Sequence, residues 1–481
     1  MKRIKSSIAL AALLLSSSAT IVSCGDDNDD PIVKEPDTPV TPVTPGEDEA
    51  MAPEDQKEKL ETIATEFMDK MPASDFSEIS SLGKYISDTY TEDYDWDNVG
   101  DWAEDIFDGL RKPLGTSTTV KDYEWTSEWD NTTYIYNSVY TDFTAVIMAS
   151  NFTGHFTADN GKWNLTKAND LQFIFKDKNG RQCVMKLETG GNVKKVYAFN
   201  KEDWTDYDYK GNDNIYTYTE YYDRTQMTVG VPENITLTLT QGGSQIAKVT
   251  IKIDLKSLSG ENFDISKNSF TASALTEFNN GYKLDMSQVA YTANSNVSAS
   301  FVMSKNGEKL ITIATAGDVN DIPSCNISAF TASFDEDDYN TDKTNARNAY
   351  VKLDIMGKMQ MLGTVADVRK LADALDKADS NDDNERAYKS HIANANKQMN
   401  VSLFYDGQAV KQADVTLEPF EETSWDGSKY WTVQPVINFY DGSSYSTFES
   451  FFNETDFKST IDLFKALADK YANLIDERID W

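Results

Sequence analysis

The sequence predicts an α+β fold dominated by antiparallel β-sheet, with helices at both ends of the folded region. Three observations predict it. Apolar residues recur with a period near 3.6 over residues 53–113 and again near the end of the chain. From about residue 120 the period falls to 2, which is typical of strands with one buried face. Asn-Gly, Asp-Gly and Gly-Gly pairs interrupt the alternating stretches and indicate tight hairpin turns.

The first residues have the layout of a removed secretory signal. A basic start precedes an apolar stretch that is shorter than the roughly 20 residues needed to span a bilayer. The sequence Ile-Val-Ser-Cys that ends at Cys24 resembles a bacterial lipobox. That resemblance implies cleavage before Cys24 and attachment of fatty acids such as palmitate to its thiol and to the new amino terminus. Several acyl chains together hold a protein stably on a membrane.

An acidic stretch, Gly-Asp-Asp-Asn-Asp-Asp at residues 25–30, follows the cysteine. It resembles the export tag of surface lipoproteins of the Bacteroidota, which implies an outer-membrane, lipid-anchored protein that faces the cell exterior. Residues 31–53 hold six of the twelve prolines. Such a segment favours the extended polyproline conformation and acts as a semi-rigid spacer.

Helices open the folded part. Over residues 53–71 the apolar side chains lie on one helical face, and Pro53 suits the first turn. Residues 76–86 repeat the pattern, and a third helix is predicted to end before Pro113, because proline cannot continue a helix. We interpret these apolar faces as packing surfaces.

β-Hairpins follow the helices. The clearest joins residues 235–240 to residues 249–255 through Gly242 and Gly243, with apolar and polar side chains alternating on both sides. Comparable segments that lead into Asn-Gly or Asp-Gly turns recur at residues 171–175, 297–303 and 401–405.

A longer repeat indicates a duplicated β-meander. Phe-Thr-Ala-Ser at 270–273 and Tyr-Lys-Leu-Asp at 282–285 recur at 330–333 and, as Tyr-Val-Lys-Leu-Asp, at 350–354. The second copy is longer because it contains a predicted helical insertion over 363–398. We expect the meanders to form a curved sheet or barrel-like repeats.

These patterns divide the chain into consecutive parts. The predicted parts are a signal peptide (1–23), the lipidated cysteine with its tag and linker (24–52), a helical region (53–115), a first β-rich domain (116–260) and a second β-rich domain (261–481) that contains the insertion and a C-terminal helix over 455–480 covering the sheet.

Charge excludes one class of partner. Removal of residues 1–23, which carry three positive charges and no negative ones, changes the formal net charge from −34 to −37. A chain this acidic repels nucleic acid and anionic lipid. The two cysteines that remain, Cys183 and Cys325, are candidates for a disulfide in an oxidising compartment.

The sequence points to no catalytic or cofactor chemistry. His155 and His391 are the only histidines, and neither a Gly-x-Ser-x-Gly elbow nor a phosphate-binding glycine loop is present. We predict no catalytic residue, no metal site and no cofactor. The acidic loops 335–342 and 379–384 do not fit the calcium-binding EF-hand pattern. A glycoside hydrolase that uses two carboxylates remains an alternative, because such an enzyme needs no histidine.

Aromatic residues crowd into one acidic segment, and aromatic faces beside carboxylates can bind sugars. We therefore expect a non-catalytic surface lipoprotein with a binding or structural role, whose partner is a polysaccharide or another surface protein. The alternative is a carrier of a lipid or small hydrophobic ligand in a curved-sheet cavity. The candidate ligand platform consists of Trp204, Tyr207, Tyr209, Tyr216 and Tyr218.

Overall fold

The structure is a computed structural model. It describes residues 42, 44, 50–91, 94–212, 214–256, 258, 260–261, 263–320, 322, 345–441, 446–447, 451 and 457–474. Cys24, the acidic tag, the repeat at 330–333 and Cys325 lie outside these residues, so the predictions that fall on them stay predictions.

The described helices confirm the predicted helical region at the start of the folded part, and two further helices lie within the segment predicted as a helical insertion. Pro53 occupies the first turn of α1 with acidic residues beside it, as the helix dipole favours. The side chains of Asp367 and Asn384 cap the two helices of the insertion. The helices are α1 (Pro53–Lys70), α2 (Ser77–Ile86), α3 (Asp97–Leu110), α4 (Val368–Asp379), α5 (Glu385–Asn396) and α6 (Lys458–Leu474). Short helical turns span Ala73–Phe76, Ser87–Thr91 and Ala149–Asn151.

Strands make up most of the remainder. They are β1 (Lys112–Pro113), β2 (Thr118–Thr126), β3 (Thr133–Met148), β4 (Gly154–Asp159), β5 (Lys162–Thr166), β6 (Leu171–Lys176), β7 (Gln182–Asn212), β8 (Ile215–Gln241), β9 (Ser244–Lys256), β10 (Ser269–Phe278), β11 (Tyr282–Thr292), β12 (Asn296–Lys305), β13 (Glu308–Asn320), β14 (Asn345–Ile355), β15 (Met359–Asp367), β16 (Met399–Tyr405), β17 (Ala413–Thr423), β18 (Lys429–Phe439) and β19 (Ser446–Thr447).

All of these strands belong to one sheet, which is antiparallel except where β3 pairs with β8 and β4 with β6. The predicted antiparallel-dominated α+β class is confirmed. The sheet does not close on itself, so the described strands do not form the barrel-like repeats that were one of the two expected arrangements. From β8 to β18 each strand pairs with the next in sequence. β9 pairs with β10 across the predicted domain boundary at residue 260.

The two longest strands extend beyond the rest of the sheet. Residues 182–190 of β7 and 234–241 of β8 lie between β6 and β9. The register between β7 and β8 is irregular between Gly190 and Val193. Beyond this point β8 no longer pairs with β9 and pairs instead with β3, which pairs with β2. Gly191 has a φ of +77°, and a Cβ there would lie 2.3 Å from Glu233 Oε2, so the bend requires glycine. We call β2, β3 and residues 193–212 and 215–230 the arm.

One edge of the sheet is bound by the N-terminal helices. α1 crosses the turns between successive hairpins, where it forms ion pairs from Lys59 to Asp406, from Glu66 to Lys358 and from Lys70 to Glu308. Farther along, Lys305 Nζ lies 2.6 Å from Asp75. We call this the helix-bound edge. Before α1, Met51 N donates to Gln412 Oε1 at 2.8 Å, so the chain reaches the sheet at this edge.

Apolar side chains cover the sheet locally. Residues of α2 and α3 pack over β4 to β7 around Phe156 and Trp163, which are buried. Tyr388 and Ile392 of α5 pack on β17 and β18. Phe457 and Ile461, at the start of the C-terminal helix, contact a cluster that contains Phe439.

Candidate ligand-binding surface

Aromatic side chains from four strands form two rows on one face of the arm. Alternate residues of a strand share a face, so register decides which side chains meet. The first row is Tyr123 of β2, Tyr136 of β3, Tyr218 of β8 and Tyr209 of β7. The second row is Trp125, Tyr134, Tyr216 and Gly211 in the same strand order. We call these eight residues the aromatic rows.

The rings within each row stack nearly parallel, except that Tyr209 is tilted at 45° to Tyr218 with centroids 5.0 Å apart. Tyr123 and Tyr136 have centroids 4.1 Å apart at 17°, and Tyr136 and Tyr218 are 4.7 Å apart at 7°. Tyr134 lies 5.2 Å from Trp125 at 19° and 5.5 Å from Tyr216 at 18°. These spacings are close to the distance between neighbouring strands. The inner rings therefore face one another and direct their edges to solvent, while free ring faces occur at the ends of the rows.

The row ends differ in construction. On β2, which is an edge strand of the arm, Tyr123 and Trp125 are 56% and 57% exposed. At the other end, Tyr216 lies over Gly211, where a Cβ would be 2.5 Å from Tyr216 Cε1. Glycine thus lets the tyrosine ring cover the backbone of β7. Tyr209 stacks on Tyr216 at 5.8 Å and 9°.

Polar groups accompany the rings on the same face. Ser138, which lies two residues after Tyr136 on the same face of β3, donates a hydrogen bond to Asp122 Oδ2 at 2.7 Å. Glu220 pairs in register with Ser138 and accepts a hydrogen bond from the Tyr222 hydroxyl at 2.6 Å. Carboxylates therefore lie beside the aromatic rows, as the sequence suggested for part of this segment.

The tyrosine hydroxyls are held in their neutral form. Desolvation raises the pKa of Tyr134, Tyr136 and Tyr209 above the ordinary value. The hydrogen bond to Glu220 raises the pKa of Tyr222 to about 12. At neutral pH each phenol can both donate and accept a hydrogen bond.

The structure brings together most of the predicted platform. Tyr209, Tyr216 and Tyr218 lie in the rows, and the Tyr207 ring is tilted against Tyr218 at 6.3 Å. Trp204 is exposed and pairs in register with Tyr222, which lies four residues along β8 from Tyr218 and therefore outside the rows. Sequence reasoning missed the partners from β2 and β3. Their signal was the same alternation of aromatic residues, in Tyr-Glu-Trp at 123–125 and Tyr-Ile-Tyr at 134–136.

Other predicted chemistry does not converge on this surface. His155 lies on β4, where its Nε2 is 2.7 Å from Asp170 Oδ1, and His391 lies on α5. Hydrogen bonds from Gln172 and His155 lower the pKa of Asp170 to about 2. Cys183 is buried, and burial raises the pKa of its thiol. Within the described ranges no group of three or more His, Cys, Asp or Glu residues could hold a metal ion.

Depressions elsewhere on the molecule are open and charged. One, of about 690 Å³, is lined by five residues from Asp383 to Lys389 at the start of α5. A second, of about 390 Å³, lies between α1 and the turns of the helix-bound edge and includes the Glu66–Lys358 pair. Charged and polar residues make up most of both linings, so these two depressions do not support the carrier alternative.

Comparison with known proteins adds no relative, since no family model, no curated protein and no solved structure matches this chain. None of the helices in the described part of the chain is both long enough and apolar enough to cross a membrane.

Proposed function

We propose that this protein is a non-catalytic lipoprotein of the outer cell surface whose arm binds a neutral polysaccharide. The observation that carries the proposal is the pair of aromatic rows, half-buried in the middle and exposed at Tyr123, Trp125 and Tyr209, on a strand face that no helix covers among the residues described. Contiguous apolar patches on a protein surface often mark sites of ligand or protein interaction.

The chemistry of the rows suits a sugar. A pyranose ring has an apolar C–H face that stacks on an aromatic ring, and hydroxyls around its rim. Free ring faces are available at Tyr123 and Trp125, and neutral phenol hydroxyls are available along the rows. One surface therefore offers both kinds of contact that a sugar chain needs.

Charge favours a neutral ligand. The formal net charge of the chain is −34, and Asp122 and Glu220 lie on the same face as the rows. An anionic polysaccharide would meet like charges at the surface and around it. The lipid anchor at Cys24 is part of the proposal, and it would hold the arm in contact with extracellular polymers.

The test measures equilibrium binding of neutral polysaccharides to the chain from residue 25 onward, which retains every described residue. The double variant Tyr136→Ala/Tyr218→Ala removes the stacked centre of the first row. We expect at least a tenfold loss of affinity, equivalent to about 1.4 kcal/mol. An acidic polysaccharide such as polygalacturonate should bind at least tenfold more weakly than the best neutral one.

The matched control changes the opposite face of the same two strands. Asn137 and Thr219 are register partners there, and Asn137→Ala/Thr219→Ala should leave affinity unchanged. The proposal is wrong if no neutral polysaccharide binds the unaltered chain, or if the tyrosine variant binds as tightly as the control.

A further inference from the structure

Two tryptophans stand almost entirely in solvent. Trp129 is 99% exposed and Trp425 is 98% exposed. Trp129 lies in the turn that joins β2 to β3, and Trp425 lies in the turn that joins β17 to β18. Tryptophan has the largest apolar side chain, and at these two turns it contributes no burial to the fold.

The two turns share one construction. In the first, Ser127 N donates to Thr132 O at 2.8 Å, and the backbone N–H of Thr132 donates to the Asp130 carboxylate at 3.1 Å. Asn131, between them, has a φ of +55°. Trp129 directly precedes the aspartate.

The second turn, more than 290 positions later in the chain, has the same pattern with one residue fewer between the serine that donates and the residue that accepts. Ser424 N donates to Ser428 O at 2.8 Å, and the backbone N–H of Ser428 donates to the Asp426 carboxylate at 2.9 Å. Gly427 takes the left-handed position with a φ of +85°. Trp425 again directly precedes the aspartate, and the shared sequence is Trp-Asp, then Asn or Gly, then Thr or Ser.

Local hydrogen bonds fix both turns without using the indole rings. The aspartate side chain and the left-handed residue account for the turn, as in other Asx-type turns. Hydrogen bonds from the neighbouring hydroxyl residues lower the pKa of Asp130 and of Asp426, which keeps both carboxylates ionised as acceptors. The tryptophans gain no burial from the fold, and each offers both ring faces to solvent. In the aromatic rows, by contrast, neighbours occupy most ring faces.

Strand direction places both turns away from the helix-bound edge, with the β2–β3 turn at the tip of the arm. The turns that α1 crosses follow even-numbered strands such as β12, β14 and β16, whereas the β17–β18 turn lies at the other ends of the strands. β8 runs parallel to β3 and antiparallel to β9, so the β2–β3 turn also points away from the helix-bound edge. Both tryptophans therefore lie opposite the point where the linker joins the sheet.

The distance between the turns determines how long a ligand must be to contact both of them. Ten strand pairings separate β3 from β17 by way of β8. At about 4.8 Å for each pairing, the separation across the strands is on the order of 50 Å. The turn at Trp129 also lies farther along the strand direction, because Thr133 pairs with Ile215 whereas β8 pairs with β9 only from Asn234 onward. At about 3.3 Å per residue, this offset adds on the order of 60 Å. Only an extended chain contacts both tryptophans at once.

We propose that Trp129 and Trp425 are two separate binding sites for one long neutral polysaccharide chain, and that each indole stacks on one sugar ring. This inference rests on the proposed function and adds a second contact region to it. Polar and acidic residues flank each indole, namely Glu128 and Asp130 at one turn and Ser424 and Asp426 at the other. The acidic side chains place negative charge beside each indole, which repels anionic lipid and anionic polymers.

The two-point contact has a measurable signature. Binding at the second point becomes intramolecular once the first is occupied, so apparent affinity for a long chain exceeds that of either point alone. Trp129→Ala and Trp425→Ala should each lower affinity for the polymer at least tenfold. The same variants should lower affinity for a hexasaccharide of that polymer less than threefold, because six sugars cannot span the turns.

Trp→Phe variants at the two positions serve as controls and should retain most polymer affinity, since a phenyl ring still stacks. Unfolding midpoints should not change in any variant, because the side chains are exposed. The inference is overturned if the double alanine variant binds polymer like the unaltered chain, or if polymer and hexasaccharide lose affinity equally. Absence of any polysaccharide binding by the unaltered chain would instead refute the proposed function itself.

Discussion

The arm and the region beneath α2 and α3 use the same kinds of side chain in opposite ways. Both contain rings on neighbouring strands, and in both such neighbours stack. Phe156 and Phe173, a register pair in the covered region, have centroids 5.1 Å apart at 15°. Tyr136 and Tyr218 do the same in the arm at 7°. Parallel stacking is thus a product of the sheet in both places.

The difference comes from the covering layer. Trp102 of α3 meets Phe156 edge to face at 4.9 Å and 80°, and it seals a cluster in which Phe156 has no exposed surface. No such ring from a helix reaches the aromatic rows in the described chain, and Trp125 stays more than half exposed. Edge-to-face contacts therefore mark where the sheet is finished by a second layer, and their lack marks a surface available to a ligand.

The largest effect expected from this comparison is on stability. Phe156→Ala should lower the free energy of unfolding by about 3 to 5 kcal/mol, because it leaves a cavity in a sealed cluster. Tyr136→Ala should cost about 1 kcal/mol or less, since it removes only cross-strand contacts. Denaturant unfolding of the two variants side by side measures the difference, and similar losses would contradict our distinction between the regions.

An intermediate effect is expected at Gly211. A Cβ there meets the Tyr216 ring at 2.5 Å, so Gly211→Ala should displace that ring and cost about 1 kcal/mol or more of stability. Polysaccharide affinity should fall several-fold. Gly109→Ala, within α3 and with nothing near its added Cβ, is the control and should stabilise by up to about 1 kcal/mol. Equal effects at both glycines would show that Tyr216 does not depend on the glycine.

The smallest effect concerns pH. The pKa of Tyr222 is raised to about 12 by Glu220, against about 10 for an unperturbed tyrosine. The folded state therefore holds this proton more tightly, and the resulting stability is complete below pH 10 and is lost as the pH rises toward 12. Glu220→Gln should return the transition toward pH 10 in a spectrophotometric titration of tyrosine. An unchanged titration curve would show that the hydrogen bond does not hold the proton.

Local pattern predicted most elements of the fold. The hairpin between residues 235–240 and 249–255 pairs as expected, and Asn306-Gly307 and Asp406-Gly407 have the positive φ angles that their turns need. The two helices of the insertion also form, although the first begins at Val368, because Val365 still belongs to β15. Short-range periodicity and turn chemistry suffice for such predictions.

Long-range pairing was beyond that reasoning. The parallel contact of β3 with β8 joins Tyr136 to Tyr218 across 82 positions, and no local signal specifies it. The sequence cluster around Tyr209 therefore predicted the residues of β7 and β8, whereas the residues of β2 and β3 join the surface only through the strand register. The likeness of the turns at Trp129 and Trp425 also became evident only from their hydrogen bonds.

The helix-bound edge has a mechanical consequence. Tension applied through the residues before Met51 acts first on the hydrogen bond between Met51 and Gln412 and is then transmitted to α1. Because α1 crosses the strand ends and is ion-paired to Asp406, Lys358 and Glu308 in turn, the load is shared by three successive hairpins. A single terminal strand attached to the linker would instead be peeled from the sheet one hydrogen bond at a time. The transverse helix α1 thus distributes tension over several hairpins of the sheet and does not concentrate it on one strand.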